Sequence, residues 1–129
     1  MSNYYHLSLD ERLVKLTPRV PLRVWNEHED NHVERVCLSD TINGCLRALY
    51  ASEGDTYTVY APLNKLAVYC PTAIEVIDQD ITGEIWAVDE TAVIKIAKIR
   101  IIRCNHIDTV SRQEQSIPVL NYAWYTLNS

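Results

Sequence analysis

Two short passages each set one titratable residue into a strand-like run: Tyr4-Tyr5-His6-Leu7-Ser8, and Ile81-Thr82-Gly83-Glu84-Ile85-Trp86. A His at the mouth of a first strand and a Glu opening a late one can converge on one cleft, as an acid/base or nucleotide-binding pair must. A neutral imidazole donates one hydrogen bond and accepts another, so His6 could hold a ribose hydroxyl and orient a nucleotide. A carboxylate beside a sugar that is losing its leaving group stabilises the oxocarbenium-like charge that develops, and Glu84 could supply it. Each also has a plain structural reading, His6 as a half-exposed residue of an edge strand and Glu84 as a charge at the exit of a turn.

Other polar residues could complete such a site. Ser39 precedes a helical stretch and could contact ribose or phosphate with the help of exposed backbone N–H groups, or serve simply as an N-cap. Tyr57 and Tyr60 lie an odd number of residues apart on one strand and so point to opposite faces; at most one of them lines a given cleft. Arg19, Arg23 and Arg35 could form a basic lip for a pyrophosphate, or pair with the acidic residues around them. His28 and His32 have i, i+4 spacing, but flanking prolines and asparagines argue against the helix a metal site would need, so no metal is expected.

The composition excludes several classes. The chain has 129 residues, 47% of them hydrophobic and 22% charged, which suits one globular domain and leaves no apolar run long enough to span a membrane. A net charge of −5 gives no footprint for general nucleic-acid binding. No basic segment followed by an apolar stretch opens the chain, so a cytoplasmic location is expected. Cys37, Cys45, Cys70 and Cys104 lack C-x-x-C pairing and read as reduced core thiols. Three glycines leave no room for a P-loop or a Rossmann fingerprint, and there is no G-x-S-x-G elbow. Eight Tyr and three Trp without any Phe favour half-buried strand faces and ligand clefts.

The elements that must position these residues follow from periodicity. A short strand over 3–7 leads to Ser8 and Glu11, which have capping-box spacing, and Leu9, Leu13 and Leu16 predict a helix over about 9–16 that ends at Thr17-Pro18. A long polar loop follows, over 19–34. Arg35-Val36-Cys37-Leu38 predicts a buried strand, after which Ser39 or Asp40 caps a helix with the apolar stripe Ile42, Cys45, Leu46 and Leu49. Thr56 to Tyr60 predicts a strand, and beyond it come strands over 66–70, 73–77, 84–88, 92–103 and 119–127. The expected fold is α+β, a split or bent, mostly antiparallel sheet with two short helices in the N-terminal half.

The order of these parts resembles the ADP-ribosyltransferase-like superfamily, especially its small bacterial members related to rifampin ADP-ribosyltransferase. Tyr4-Tyr5-His6-Leu7-Ser8 is similar to the family's first strand, an apolar or aromatic pair followed by His and a small polar residue. Arg35-Val36-Cys37-Leu38-Ser39 is similar to its strand ending in Ser before a helix. Thr56-Tyr57-Thr58-Val59-Tyr60-Ala61-Pro62 is compared with its third, extended marker, and Gly83-Glu84-Ile85-Trp86 with its last, acidic one. The likeness covers residues 4–103, with Leu7 where a Gly is common and Cys37 where a stacking Tyr often stands. It implies NAD as substrate, transfer of ADP-ribose to an acceptor, Glu84 and His6 as catalytic residues, and His6, Ser8, Ser39, Tyr57, Tyr60 and Arg19 as nucleotide contacts. The competing reading is a small non-catalytic binding protein, of phage or mobile-element type, that sequesters a nucleotide or inhibits a protein partner through its acidic surface. A homodimer through an exposed strand edge is compatible with either.

Overall fold

The computed structural model describes residues 4–20 and 33–127. Within them the chain runs β1 (His6–Ser8), β2 (Lys15–Leu16), β3 (Val36–Ser39), α1 (Ile42–Leu49), β4 (Thr56–Pro62), α2 (Gln79–Thr82), β5 (Glu84–Ala87), β6 (Thr91–Arg112) and β7 (Gln115–Thr126). The sheet is antiparallel, as the sequence predicts, and of the two expected forms, split or bent, it takes the split one. Five strands take the order β1-β4-β6-β2 with β7 added to β6, and β3 and β5 form a separate pair.

β6 is the spine because its 22 residues are long enough to serve several partners. Val93 to Arg100 pairs with β4, Thr91 and Ala92 with β2, and Ile99 onward with β7. β4 carries β-branched and aromatic residues on both faces and is buried on both. Tyr57 and Val59 enter one apolar cluster with Leu7, Cys45, Leu46, Ile99, Ile101 and Tyr122; Tyr60 enters a second with Leu16, Val36, Leu38, Ala87 and Val93. The sheet therefore separates two cores.

α1 starts two residues later than the earliest cap the sequence suggests. Thr41, not Ser39 or Asp40, is the N-cap, and its hydroxyl accepts the Gly44 N–H at 2.8 Å. The helix closes at Tyr50 in the left-handed conformation, with φ 50°. Cys45 and Leu46 face the core as the stripe requires, whereas Leu49 is 45% exposed.

Only one of the two expected N-terminal helices exists. Over 9–16 the polar side chains bond their own backbone instead: Ser8 Oγ accepts Asp10 N–H at 3.0 Å, and Asp10 Oδ1 accepts Arg12 N–H at 2.8 Å. The Tyr60 hydroxyl then donates to Asp10 O at 2.5 Å and accepts from Leu13 N at 3.1 Å. These bonds compete with a helical ladder and win, and Leu9 is left 75% exposed. The strand predicted over 73–77 is likewise a turn, held by Thr72 N–H to Glu75 Oε1 at 2.8 Å and Glu75 N–H to Thr72 Oγ1 at 3.3 Å. It leads into the second helix, α2, which lies in the C-terminal half. Of the 66–70 strand only a bridge from Tyr69 to Trp86 forms.

The α2 turn is clamped from three sides. Ser39 Oγ donates to Thr82 O at 2.6 Å, Arg47 Nη1 to Ile81 O at 3.1 Å, and Arg112 Nη1 to Ile77 O at 3.2 Å. Arg112 also makes a two-pronged ion pair with Asp80, which ties the tip of the β6–β7 hairpin to α2. All four cysteines are free thiols; Cys45 is buried, Cys37 and Cys104 are half-buried, and Cys70 is exposed rather than in the core. Among the described residues no helix is long and apolar enough to cross a membrane.

Candidate functional site

The two sheets meet along one edge of β3. At one end Ser39 and Tyr5 exchange backbone hydrogen bonds of 3.1 and 2.8 Å; at the other Arg35 and Arg19 exchange bonds of 2.9 and 3.0 Å. Backbone groups of a strand alternate sides with period two, so Cys37, midway between, also points its carbonyl at this edge. What meets that carbonyl is a side chain: His6 Nδ1 lies 3.1 Å from Cys37 O. β1 and β3 part at this point.

A carbonyl only accepts, so Nδ1 carries the proton and Nε2 is the acceptor nitrogen of a neutral ring. Burial holds the His6 pKa below its ordinary value; the bond to Cys37 O works against this, and the Arg19 charge works with it. His6 is therefore uncharged at neutral pH, and Arg19 stands close enough for its field to be felt.

Glu84 is placed by the residue before it. Gly83 ends α2 in the left-handed region at φ 69°, with its N–H on Gln79 O at 2.7 Å, and a side chain here would run into the Asp40 carboxylate. Glu84 then opens β5 opposite Ser39, and Cys37 pairs with Trp86. Glu84, Cys37 and Trp86 share one face. The Trp86 indole N–H donates to Glu84 Oε2 at 2.5 Å, and the Cys37 thiol lies 3.9 Å from the same oxygen. Burial first, and then the Glu84 charge, push the Cys37 thiol up to about 12.

His6 and Glu84 thus both reach Cys37, one at its carbonyl and the other at its thiol. They do so from different sides. Tyr5 pairs with Ser39 and shares the Glu84 face, so the next residue, His6, starts from the opposite face of the pleat, across from Tyr60. Arg35 and Arg19 are paired at the other end of this stretch of β3, and the Arg35 guanidinium carbon stands 4.0 Å from the centre of the Trp86 ring.

The remaining predicted contacts are not assembled here. Ser39 is 3% exposed, and its hydroxyl donates to Thr82 O and accepts from Thr41 N at 3.3 Å, so it ties β3 to α2. Tyr57 packs against α1 and donates to Asp55 Oδ2 at 3.3 Å. Tyr60 is wholly buried and both roles of its hydroxyl are taken up by the 9–16 loop. Ser8 sits two residues from His6 on the same strand, with its hydroxyl accepting from Asp10. Arg23, His28 and His32 lie outside the described residues, and among the described residues no cluster of His, Cys, Asp and Glu could hold a metal.

The sequence assigns no role to Trp86, although strand alternation puts residues 84 and 86 on one face. It marks Cys37 only as standing in place of a stacking Tyr; that His6 meets its carbonyl and Glu84 its thiol depends on the pairing of distant strands. Compared with protein-family models, with curated proteins and with solved structures, the chain finds no match in any of the three.

Proposed function

We propose that the chain is an NAD-dependent ADP-ribosyltransferase-like protein that transfers ADP-ribose from NAD to an acceptor. The reading is carried by one observation: a neutral His and a Glu both reach Cys37, His6 at its carbonyl and Glu84 at its thiol, beside the stretch where β1 and β3 are not paired. In this reading His6 Nε2 accepts from a ribose hydroxyl, and Arg19 faces the pyrophosphate. Glu84 stabilises the positive charge that builds on the ribose as nicotinamide leaves. The whole chain incubated with NAD is expected to release nicotinamide, detected by chromatography, and Glu84→Ala is expected to abolish release. Release at the wild-type rate from Glu84→Ala would end the assignment.

A non-catalytic nucleotide-binding or inhibitory protein is the second reading, favoured by a different observation. His6 and Glu84 start from opposite faces of the pleat, and the Glu84 carboxylate is already tied to Trp86. Calorimetry separates the two, since tight NAD binding without nicotinamide release supports the binder.

A further inference from the structure

We infer that Trp86 is the positioning residue of Glu84, and that Arg35 and Tyr69 hold its indole in the plane this requires. The inference rests on the transferase reading only in so far as Glu84 acts on a substrate. The indole is 2% exposed and its N–H meets Glu84 Oε2 at 2.5 Å. An indole nitrogen is a donor only; it neither takes a proton from the carboxylate nor titrates beside it. It can therefore do one thing to Glu84, which is to fix one oxygen and so set the direction of the other.

Three rotatable bonds give a half-buried Glu side chain many orientations, and the indole bond selects among them for Oε2. Trp86 can do this because its own ring is held. The Arg35 cation lies over one part of the ring system at 4.0 Å, and the Tyr69 ring packs at 5.7 Å between centroids with a 40° tilt. Backbone bonds of 2.7 and 2.8 Å between Tyr69 and Trp86 lock the two residues in register. Rotating the indole away would leave a buried donor without its acceptor, which costs more than the bond itself contributes.

The experiment has two arms, both on the whole chain. In the first, the indole N–H resonance of Trp86 is followed by NMR in wild type and in Glu84→Ala. It is expected to move upfield in the variant while the Trp124 resonance stays in place; a Trp86 signal indifferent to Glu84→Ala overturns the inference. In the second, Trp86→Phe keeps one aromatic ring on this face and removes the N–H. Nicotinamide release is expected to fall about tenfold or more in kcat with KM little changed, as loss of an orienting bond to a charged group should give. An unchanged kcat, or a raised KM at constant kcat, overturns the inference. If Trp86→Phe does not fold, the first arm decides. If the wild type releases no nicotinamide, the transferase reading fails and the first arm still tests the indole–carboxylate coupling.

Discussion

Replacing Gly44 by Ala sets two effects of opposite sign against each other, and the geometry decides between them. In an exposed helix interior the change stabilises by about 1 kcal/mol, because Gly loses more backbone freedom on folding than Ala does. At Gly44 the added methyl would fall well inside contact distance of Thr82 O and Ser39 Oγ, and 2.9 Å from Thr41 Oγ1. None of these is the free end of a flexible side chain. Thr82 O is backbone and already accepts from Ser39 at 2.6 Å, and Thr41 Oγ1 is the cap of the same helix. Relief therefore means parting α1 from α2, at about 1–3 kcal/mol for overpacking and about 1–3 kcal/mol more for the buried hydroxyl bond it breaks. Subtracting the helix gain leaves a loss of about 1–5 kcal/mol, a fall of about 10 °C in Tm at the middle of that range for a domain of this size. Thermal unfolding followed by far-UV circular dichroism reads this directly. Gly54→Ala is the internal comparison: its φ is 87°, but no atom lies within 4 Å of the added carbon, so backbone strain alone should cost about 1 kcal/mol. A Gly44→Ala variant as stable as wild type, or less perturbed than Gly54→Ala, would refute the close α1–α2 packing on which the position of Glu84 depends.

The pH dependence of stability should carry the mark of His6. Because burial lowers its pKa in the folded chain, the unfolded chain binds the proton more readily; this contribution to stability is whole above the unfolded pKa of about 6.5 and is lost as pH falls below it. His6→Asn, whose amide can stand where Nδ1 stands and still donate to Cys37 O, should give urea midpoints that fall less between about pH 7 and 5 than those of wild type; equal slopes would contradict the buried neutral ring. Thiol labelling at about pH 8 should mark Cys70 first, with Cys37 and Cys45 reacting only as the chain unfolds, since burial pushes both of these thiols up to about 12. Rapid modification of Cys37 in folded protein, located by mass spectrometry, would contradict the raised thiol pKa that its burial and the Glu84 charge produce.

Periodicity made much of the frame legible. β3 and α1 show as an apolar run followed by a helical stripe, and β4 as a run of Thr, Tyr and Val bounded by Gly54 and Pro62. The split antiparallel sheet followed from the strand-rich second half. Leu9, Leu13 and Leu16 misled because three leucines at helical spacing say nothing about backbone competition from Ser8, Asp10 and a Tyr hydroxyl 50 residues away. The four residues of α2 are too few to carry a period, yet T-x-x-E at Thr72 and Glu75 was a readable sign of the turn that introduces them. At the site, residue type drew attention to His6 and Glu84. The pairing of Arg19 with Arg35 depends on a bridge between distant segments, and no local pattern announces it.

The structural and functional readings of His6 compete only while the ring is treated as a single object. Its Nδ1 closes a backbone carbonyl that β1 does not reach, and this bond fixes the tautomer and makes Nε2 the acceptor. The Glu84 carboxylate is held within β5, where strand alternation puts Trp86 on the same face and its N–H on Oε2. The His6 anchor exists because β3 is paired at Ser39 and at Arg35 but not by a strand at Cys37, so a side chain fulfils there what a ladder would otherwise fulfil. A break in strand pairing is thus also where a titratable ring acquires a fixed direction, which orienting a ligand needs and a continuous sheet would not provide.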